Sequence, residues 1–269
     1  MLAKVKITMS NEVQYPKNPA KSVTARALAV LGAFRVEEPA MTLSQLARVA
    51  GLPVATVYRL AGELEEGRFL ERDSSGLYRL GVRMWEMGLL TPVHGHLREA
   101  AMPFLLNLQY ATRETVQLAV CDGADAVYIE KLTMNTLTPV QTRVGSRIPL
   151  HATAVGEAIL AFSEPAFIDV MSNMPLTRYT DSTMTTKRVL LKELDNIKSR
   201  GFAHSTEEYM PGSTAIAAPV LVHGRVEAAI GLVNYELRED LEVFVPELLE
   251  ACAGLGHRLE ELQAAEQAS

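Results

Sequence analysis

Ala55, Thr56, Tyr58 and Arg59 lie within five consecutive positions and together carry the groups needed to read base-pair edges. A guanidinium can bond the O6 and N7 of one guanine, a threonine hydroxyl can meet a base or a phosphate, and an alanine methyl can meet a thymine methyl. That chemistry requires the four residues to point outward from a helix that enters a major groove, while a preceding helix crosses the phosphate backbone. Arg26 and Thr42 join them as candidate DNA contacts, and Arg72 and Arg79, further along, suit phosphate or minor-groove contacts.

The titratable residues offer no comparable catalytic set. Among His94, His96, His151, His204, His223 and His257, the first two are spaced two apart, which does not share a helical face, and neither GxSxG nor HExxH occurs. Glu207 and Glu208 are adjacent, so on a strand they would point to opposite faces and could not act as an acid/base pair. His151 precedes a helical segment, where capping or packing is the expected role. Cys121 and Cys252 have neither CxxC nor CxxxH spacing, and both fall in apolar patterns that read as core rather than as a reactive thiolate. An enzyme, a redox sensor, a metal site and a bound cofactor are therefore not expected.

The elements that would position Arg59 are legible around it. Thr42 with Gln45 fits a capping box, and Leu43, Leu46, Ala47 and Ala50 recur at helical spacing up to Gly51, which can take the positive φ of a tight reversal. Ala47 is small enough to let a second helix pack close. Pro53 suits the first turn of that helix, where Val57, Leu60, Ala61 and Leu64 form an inward stripe. Phe69–Arg72 and Leu77–Leu80 then alternate as strands around the turn Asp73-Ser74-Ser75-Gly76. Upstream, Ser22 can cap a helix with the face Val23, Ala27, Val30, Leu31 and Phe34, with Arg26 on the other side. The whole is a winged helix-turn-helix over residues 21–80, preceded by a mobile arm over 1–20.

Composition agrees with two domains. At 269 residues and 48% hydrophobic content the chain can bury a large core. Residues 1–90 carry 12 Lys/Arg against 9 Asp/Glu and residues 91–269 carry 14 against 23, so balances of +3 and −9 put the DNA-facing charge at the N-terminal end. No apolar run approaches a membrane span or a signal peptide, and two cysteines suit a reducing cytoplasm. A linker helix follows over 81–96, with Val82, Trp85, Met87 and Leu89 at helical spacing before Thr91-Pro92; the single Trp at such a junction is expected to bury against a partner surface. From 97 to 265 helices and strands mix as an α+β domain with an antiparallel sheet. Helices are expected over 97–112, 153–163, 165–173, 185–200 and 239–262, and strands over 115–122, 126–133, 138–144, 202–207, 214–222 and 226–234.

Over residues 21–260 the chain resembles the IclR family of bacterial transcriptional regulators. The segments that carry the likeness are Ser22-Val23 with Arg26-Ala27-Leu28, Gly51-Leu52-Pro53 with Thr56 to Leu60, and Gly76 to Gly81. Those in the second half are Glu114-Thr115-Val116, Gly145-Ser146-Arg147 with Pro149 to Ala154, and Ala217 to Val220. The resemblance implies a winged-helix DNA-binding domain, a linker helix and a GAF-like effector domain, assembled as a dimer or tetramer on double-stranded operator DNA. It also implies a small organic acid in a pocket formed by Val140, Ile148, Ala154, Val155, Ser205, Ala215, Gly231 and Val233. Members that bind small keto acids tend to have an acid where this chain has Ser205, a cysteine at Ala215 and serines at Gly231 and Val233. These departures predict a larger, more apolar or aromatic acid. Its carboxylate is expected at the helix N-terminus near Ala154 and Val155. Glu157, where the family often has lysine, is expected to discourage an anion from that side. The alternative is a winged helix that serves protein contacts, with a second domain that dimerises and binds no small molecule.

Overall fold

In the computed structural model, which describes residues 22–35, 38–91, 97–133, 142–235 and 241–267, the chain divides into two compact units between Thr91 and Pro92. In the first unit, Val23–Leu31 (α1) is capped by the Ser22 side chain, and Leu43–Ala50 (α2) opens on a reciprocal capping box between Thr42 and Gln45. Gly51 closes α2 with φ of +66°, the left-handed conformation that only glycine takes without strain, and turns the chain into Val54–Glu66 (α3). Pro53 is the N-cap of α3 rather than its first helical residue. The inward stripe is Val57, Leu60 and Ala61, packed with Val30, Leu46 and Ala47 into one small core. Val23 stays half exposed, because the face of α1 that meets this core is centred on Val30.

Leu70–Arg72 (β1) and Tyr78–Leu80 (β2) pair antiparallel as the wing, with Leu70 and Tyr78 turned into the core. Asp73 sets the turn by accepting from the backbone N–H groups of Ser75 (2.9 Å) and Leu77 (3.1 Å). The expected linker helix is observed as Val82–Gly88 (α4); residues 92–96, with His94 and His96, lie outside the described residues, as does the arm over 1–20. Trp85 is 64% exposed and buries against nothing described in the chain.

The second unit is one six-stranded antiparallel sheet between two helical layers. Its strands are Thr115–Asp122 (β3), Asp125–Leu132 (β4), Arg147–Pro149 (β5), Ala203–Thr206 (β6), Thr214–Val222 (β7) and Arg225–Asn234 (β8), in the order β5-β4-β3-β8-β7-β6. Val116 and Leu118 face the layer of Glu99–Thr112 (α5) and Val245–Gln267 (α9). Ala119, Ala126 and Tyr128 face the layer of Ala154–Ala161 (α6), Pro165–Asn173 (α7) and Lys187–Arg200 (α8). The two faces follow from period-2 alternation along β3.

Two expectations are corrected and one lies mostly outside the described residues. The strand expected over 138–144 falls mostly outside the described residues; the observed strand begins at Arg147, after a turn in which Gly145 has φ of +86°. The closing helix starts at Val245, one residue before Pro246 and after a 3₁₀ turn over Leu241–Phe244, because proline is tolerated only in a helix's first turn. Glu207 and Glu208 are not on a strand: β6 ends at Thr206 and Glu207 has φ of +56°.

Candidate functional site

On α3, Ala55, Tyr58 and Arg59 are exposed and Thr56 is half-buried, so these four share the outward face opposite Val57 and Leu60. The Arg59 guanidinium is held by Glu63 one turn on, an exposed pair that contributes little to stability and leaves the side chain free to exchange partners. Arg72 lies over the Tyr78 ring at 5.4 Å, and Arg79 sits 3.4 Å from Asp73. Arg26 bonds the Ser22 carbonyl at 3.3 Å. The Thr42 hydroxyl is committed to the capping box, donating to Gln45 at 2.8 Å and accepting from its backbone N–H at 3.3 Å, so its structural role is helix initiation.

The second unit contains a cavity between the sheet and the start of α6. Ala154, Val155, Ser205, Ala215, Gly231 and Val233 all line it. Ile148 does not: it pairs with Ala126 near the sheet edge and is sealed in the core, and Val140 lies outside the described residues. The remaining wall includes Gln117 and Thr142, the rings of Tyr128, Tyr209 and Tyr235, and Ser213. The wall is thus richer in hydroxyl groups than the substitutions at Ser205, Ala215, Gly231 and Val233 alone predict. The space open to the centre of a water-sized sphere is about 50 Å³, several times the ~10–15 Å³ that one water needs.

The groups around the cavity are ordered by one another. Gln117 hydrogen-bonds the Tyr128 hydroxyl, and Thr142 bonds that of Tyr235. Burial raises the pKa of both tyrosines and pushes that of Tyr209 up to about 12, so all three hydroxyls keep their protons at neutral pH. Tyr209 also stands edge-on to Tyr179, with ring centroids 4.9 Å apart. At the mouth of α6, the Thr153 hydroxyl accepts from the Gly156 N–H at 3.2 Å and donates to the Pro149 carbonyl at 2.8 Å, which fixes the cap. Only part of this wall was visible in the sequence: Gln117, a polar residue amid the apolar run Val116–Val120, was the one local signal.

Glu157 does not face the cavity. It is fully buried, and burial together with Glu208 and Glu193 raises its pKa well above the ordinary value, only partly countered by Arg200. Neither carboxylate oxygen finds a hydrogen bond among the described residues. The expectation that Glu157 meets an anionic ligand is therefore corrected: its carboxyl is sealed away from the cavity, and burial disfavours its charged form. His151 bonds the Thr177 carbonyl at 3.0 Å, a packing role, and burial lowers its pKa. Cys121, expected in the core, is exposed at the end of β3, whereas Cys252 is buried and pushed up to about 12. The sulfur of Cys121 is nonetheless partly desolvated by the surrounding chain, and this with the carboxylates of Asp122 and Asp125 raises the pKa of its thiol, the opposite of an activated cysteine. Among the described residues there is no cluster of three or more metal-ligating side chains, and no helix long and apolar enough to cross a membrane.

Residues 23–74 match the IclR helix-turn-helix domain, and residues 91–255 match the family described as bacterial transcriptional regulator IclR C-terminal. The chain belongs to the IclR family. This IclR-family protein is 34% identical over 224 residues to the HTH-type transcriptional regulator KipR of Bacillus subtilis, covering 82% of this chain and 89% of KipR. It is 29% identical over 218 residues to XynR of Escherichia coli K12, covering 80% and 86%. A solved IclR homolog from Microbacterium hydrocarbonoxydans, complexed with 4-hydroxybenzoate, superposes with a TM-score of 0.83 at 32% identity over 89% of this chain and all of that one. The Thermotoga maritima IclR superposes with a TM-score of 0.74 at 27% identity over 88% and 98%. These relatives are transcriptional regulators, not enzymes, and the IclR-family chain is accordingly a DNA-binding transcriptional regulator with a helix-turn-helix domain and an effector-binding domain.

Proposed function

We propose that operator affinity is controlled by a one-ring aromatic acid bound between the sheet and α6. The observation that carries this reading is the cavity wall, where three protonated tyrosines and Gln117 surround a small space at the N-terminus of α6. Aromatic rings supply flat apolar contact while their hydroxyls fix orientation. The likeness to a homolog that holds 4-hydroxybenzoate supports the same class of ligand.

In this reading residues 21–80 bind double-stranded operator DNA, with Ala55, Thr56, Tyr58 and Arg59 reading bases and Arg72 and Arg79 meeting backbone or minor groove. Residues 81–96 link them to a GAF-like effector domain over 97–265. The protein acts as a dimer or tetramer, which the exposed Leu80, Trp85, Met87 and Leu90 in and beside α4 support. Half-sites in such an assembly are spaced by about 34 Å or multiples of it, so a small reorientation of paired winged helices separates binding from non-binding states. A coupling of about 1–3 kcal/mol between the sites suffices for a useful switch.

The test is fluorescence anisotropy on the DNA upstream of the protein's own gene, with and without 4-hydroxybenzoate. Specific binding that the ligand shifts, and that Arg59→Ala weakens, is expected. Equal weak binding to every duplex would overturn the DNA-reading assignment, and an operator affinity indifferent to every aromatic acid tested would overturn the effector class.

A further inference from the structure

The register of β4 against β3 changes at one residue. Leu118 pairs with Glu130 and Ala119 pairs with Tyr128, so Ile129 is an unmatched bulge residue. A bulge resets the alternation of side chains along its strand. Tyr128, opposite Ala119, faces the cavity; Glu130, opposite Leu118, turns to the other side of the sheet and meets Arg98 at 2.7 Å. Lys131 is opposite Gln117, and Gln117 lines the cavity. The bulge therefore brings a lysine onto the ligand side of the sheet, where unbroken alternation from Tyr128 would have put it on the far side.

Lys131 stands directly behind the cavity wall rather than in it, and its partners are wall residues. Its Nζ donates to the Thr142 carbonyl at 2.9 Å and is 3.1 Å from the Thr142 hydroxyl, and it lies 5.8 Å from the centroid of the Tyr235 ring. Thr142 and Tyr235 both line the cavity. An ammonium has three N–H donors, and among the described residues both its bonds go to Thr142, which there leaves one donor over. No carboxylate among the described residues pairs with Lys131. Burial pulls its pKa down to about 8, the mark of a partly desolvated cation without a counter-charge.

We propose that Lys131 is the cation that pairs with the carboxylate of the ligand in this cavity, making the site select an anion over its neutral analogue. The proposal rests on the reading of this cavity as the effector site. The ammonium keeps its bond to Thr142 and gives its remaining N–H to a carboxylate oxygen, a charge-assisted bond stronger than any the surrounding hydroxyls can supply. The Tyr235 ring beneath the cation keeps it partly dry and favours it through its π face.

Calorimetric titration of the full-length protein at neutral pH with 4-hydroxybenzoate, 4-hydroxybenzamide, hexanoate and pyruvate tests this. The wild type is expected to prefer the benzoate to the benzamide, and Lys131→Met to lose about tenfold or more in benzoate affinity, the scale of one charged hydrogen bond, with benzamide binding changed little. Lys131→Arg is expected to recover part of the loss. Lys131→Gln, which keeps a donor for Thr142, serves if the Met variant melts early. Benzoate binding equal in wild type and both neutral variants overturns the role of Lys131 and leaves the effector cavity standing, as does a wild type that binds the amide but no carboxylate. A wild type that binds none of the four overturns both.

Discussion

A Cβ on Gly231 would stand 2.6 Å from Cγ1 of Val155, so the bare backbone of β8 and the side chain that opens α6 share one space on the cavity wall. Real carbon atoms do not approach so closely. A side chain at 231 must drive Val155 toward the ligand or push α6 away from the sheet. Gly231→Ser is expected to cost about 1–3 kcal/mol of stability, the usual range for overpacking, and to weaken 4-hydroxybenzoate binding. Val155→Ala in the same chain should restore both. Thermal melts and calorimetry on the two single variants and the double variant measure the coupling; strict additivity would separate the two residues.

Arg59 and Glu63 make the corresponding prediction for DNA. Because the pair is exposed, Arg59→Ala should change stability by roughly 0–1 kcal/mol while weakening operator binding by about 1–3 kcal/mol and relaxing preference at one base pair. Glu63→Gln releases the guanidinium and removes a negative charge from the face of α3, so operator affinity should rise or hold. Anisotropy titrations over a salt series check both, and a Glu63→Gln variant that loses affinity would mean that Glu63 orients Arg59 for reading.

The buried Glu157 predicts how stability depends on pH. Glu208, from the loop after β6, and Glu193 and Arg200, from α8, act on it, and with burial the net effect raises its pKa above the ordinary 4.5. Burial lifts Glu208 to about 7. A carboxyl whose folded pKa exceeds its unfolded value holds its proton more tightly in the fold. Stability from this source is complete below about pH 4.5 and declines as pH rises through the folded values, with Glu208 contributing up to about 7. Melting temperature is expected to fall from mildly acidic to mildly alkaline buffer in the wild type, and Glu157→Gln to flatten that fall. A wild-type profile already flat over this window would show that both carboxyls ionise without penalty.

Ligand affinity should carry its own pH signature. Around the cavity Tyr128, Tyr209 and Tyr235 are all raised, Glu130 with Arg98 lies across the sheet, and Glu208, which bonds the wall residue Ser205, is lifted to about 7, so Lys131, at about 8, is the cation here that loses its charge near neutrality. An anionic ligand favours the protonated lysine. The part of the fall in benzoate affinity that belongs to Lys131 is therefore expected above about pH 8, by at most tenfold per pH unit for one linked proton, and Lys131→Met should remove it while leaving any earlier fall from Glu208. The benzamide should show no such fall, and calorimetry across the window reads the difference.

The DNA-binding half was legible in the sequence because its determinants are local. Thr42 and Gln45 make their capping box within one turn, Gly51 reverses the chain where a left-handed residue is needed, and Val57, Leu60 and Ala61 repeat at the helical period. Each of these is decided by residues a few positions apart, so spacing alone places Ala55, Thr56, Tyr58 and Arg59 on one outward face.

The cavity is a different case. Its wall gathers Gln117, Tyr128, Thr142, Ser205, Tyr209, Gly231 and Tyr235 from four strands and three segments outside them, and no local period records which strand faces which helix layer. The assignment of Ile148 to the pocket failed for that reason, since edge pairing with β4 decides where β5 begins and where Ile148 points. The bulge at Ile129 is the sharpest instance. Alternation along the sequence puts Lys131 on the same face as Ile129 and opposite Tyr128, and only the register with β3 returns it to Tyr128's side. Local chemistry thus determined the helix-turn-helix and the outward face of its second helix, while strand register, a property of two segments at once, decided which side chains line the cavity.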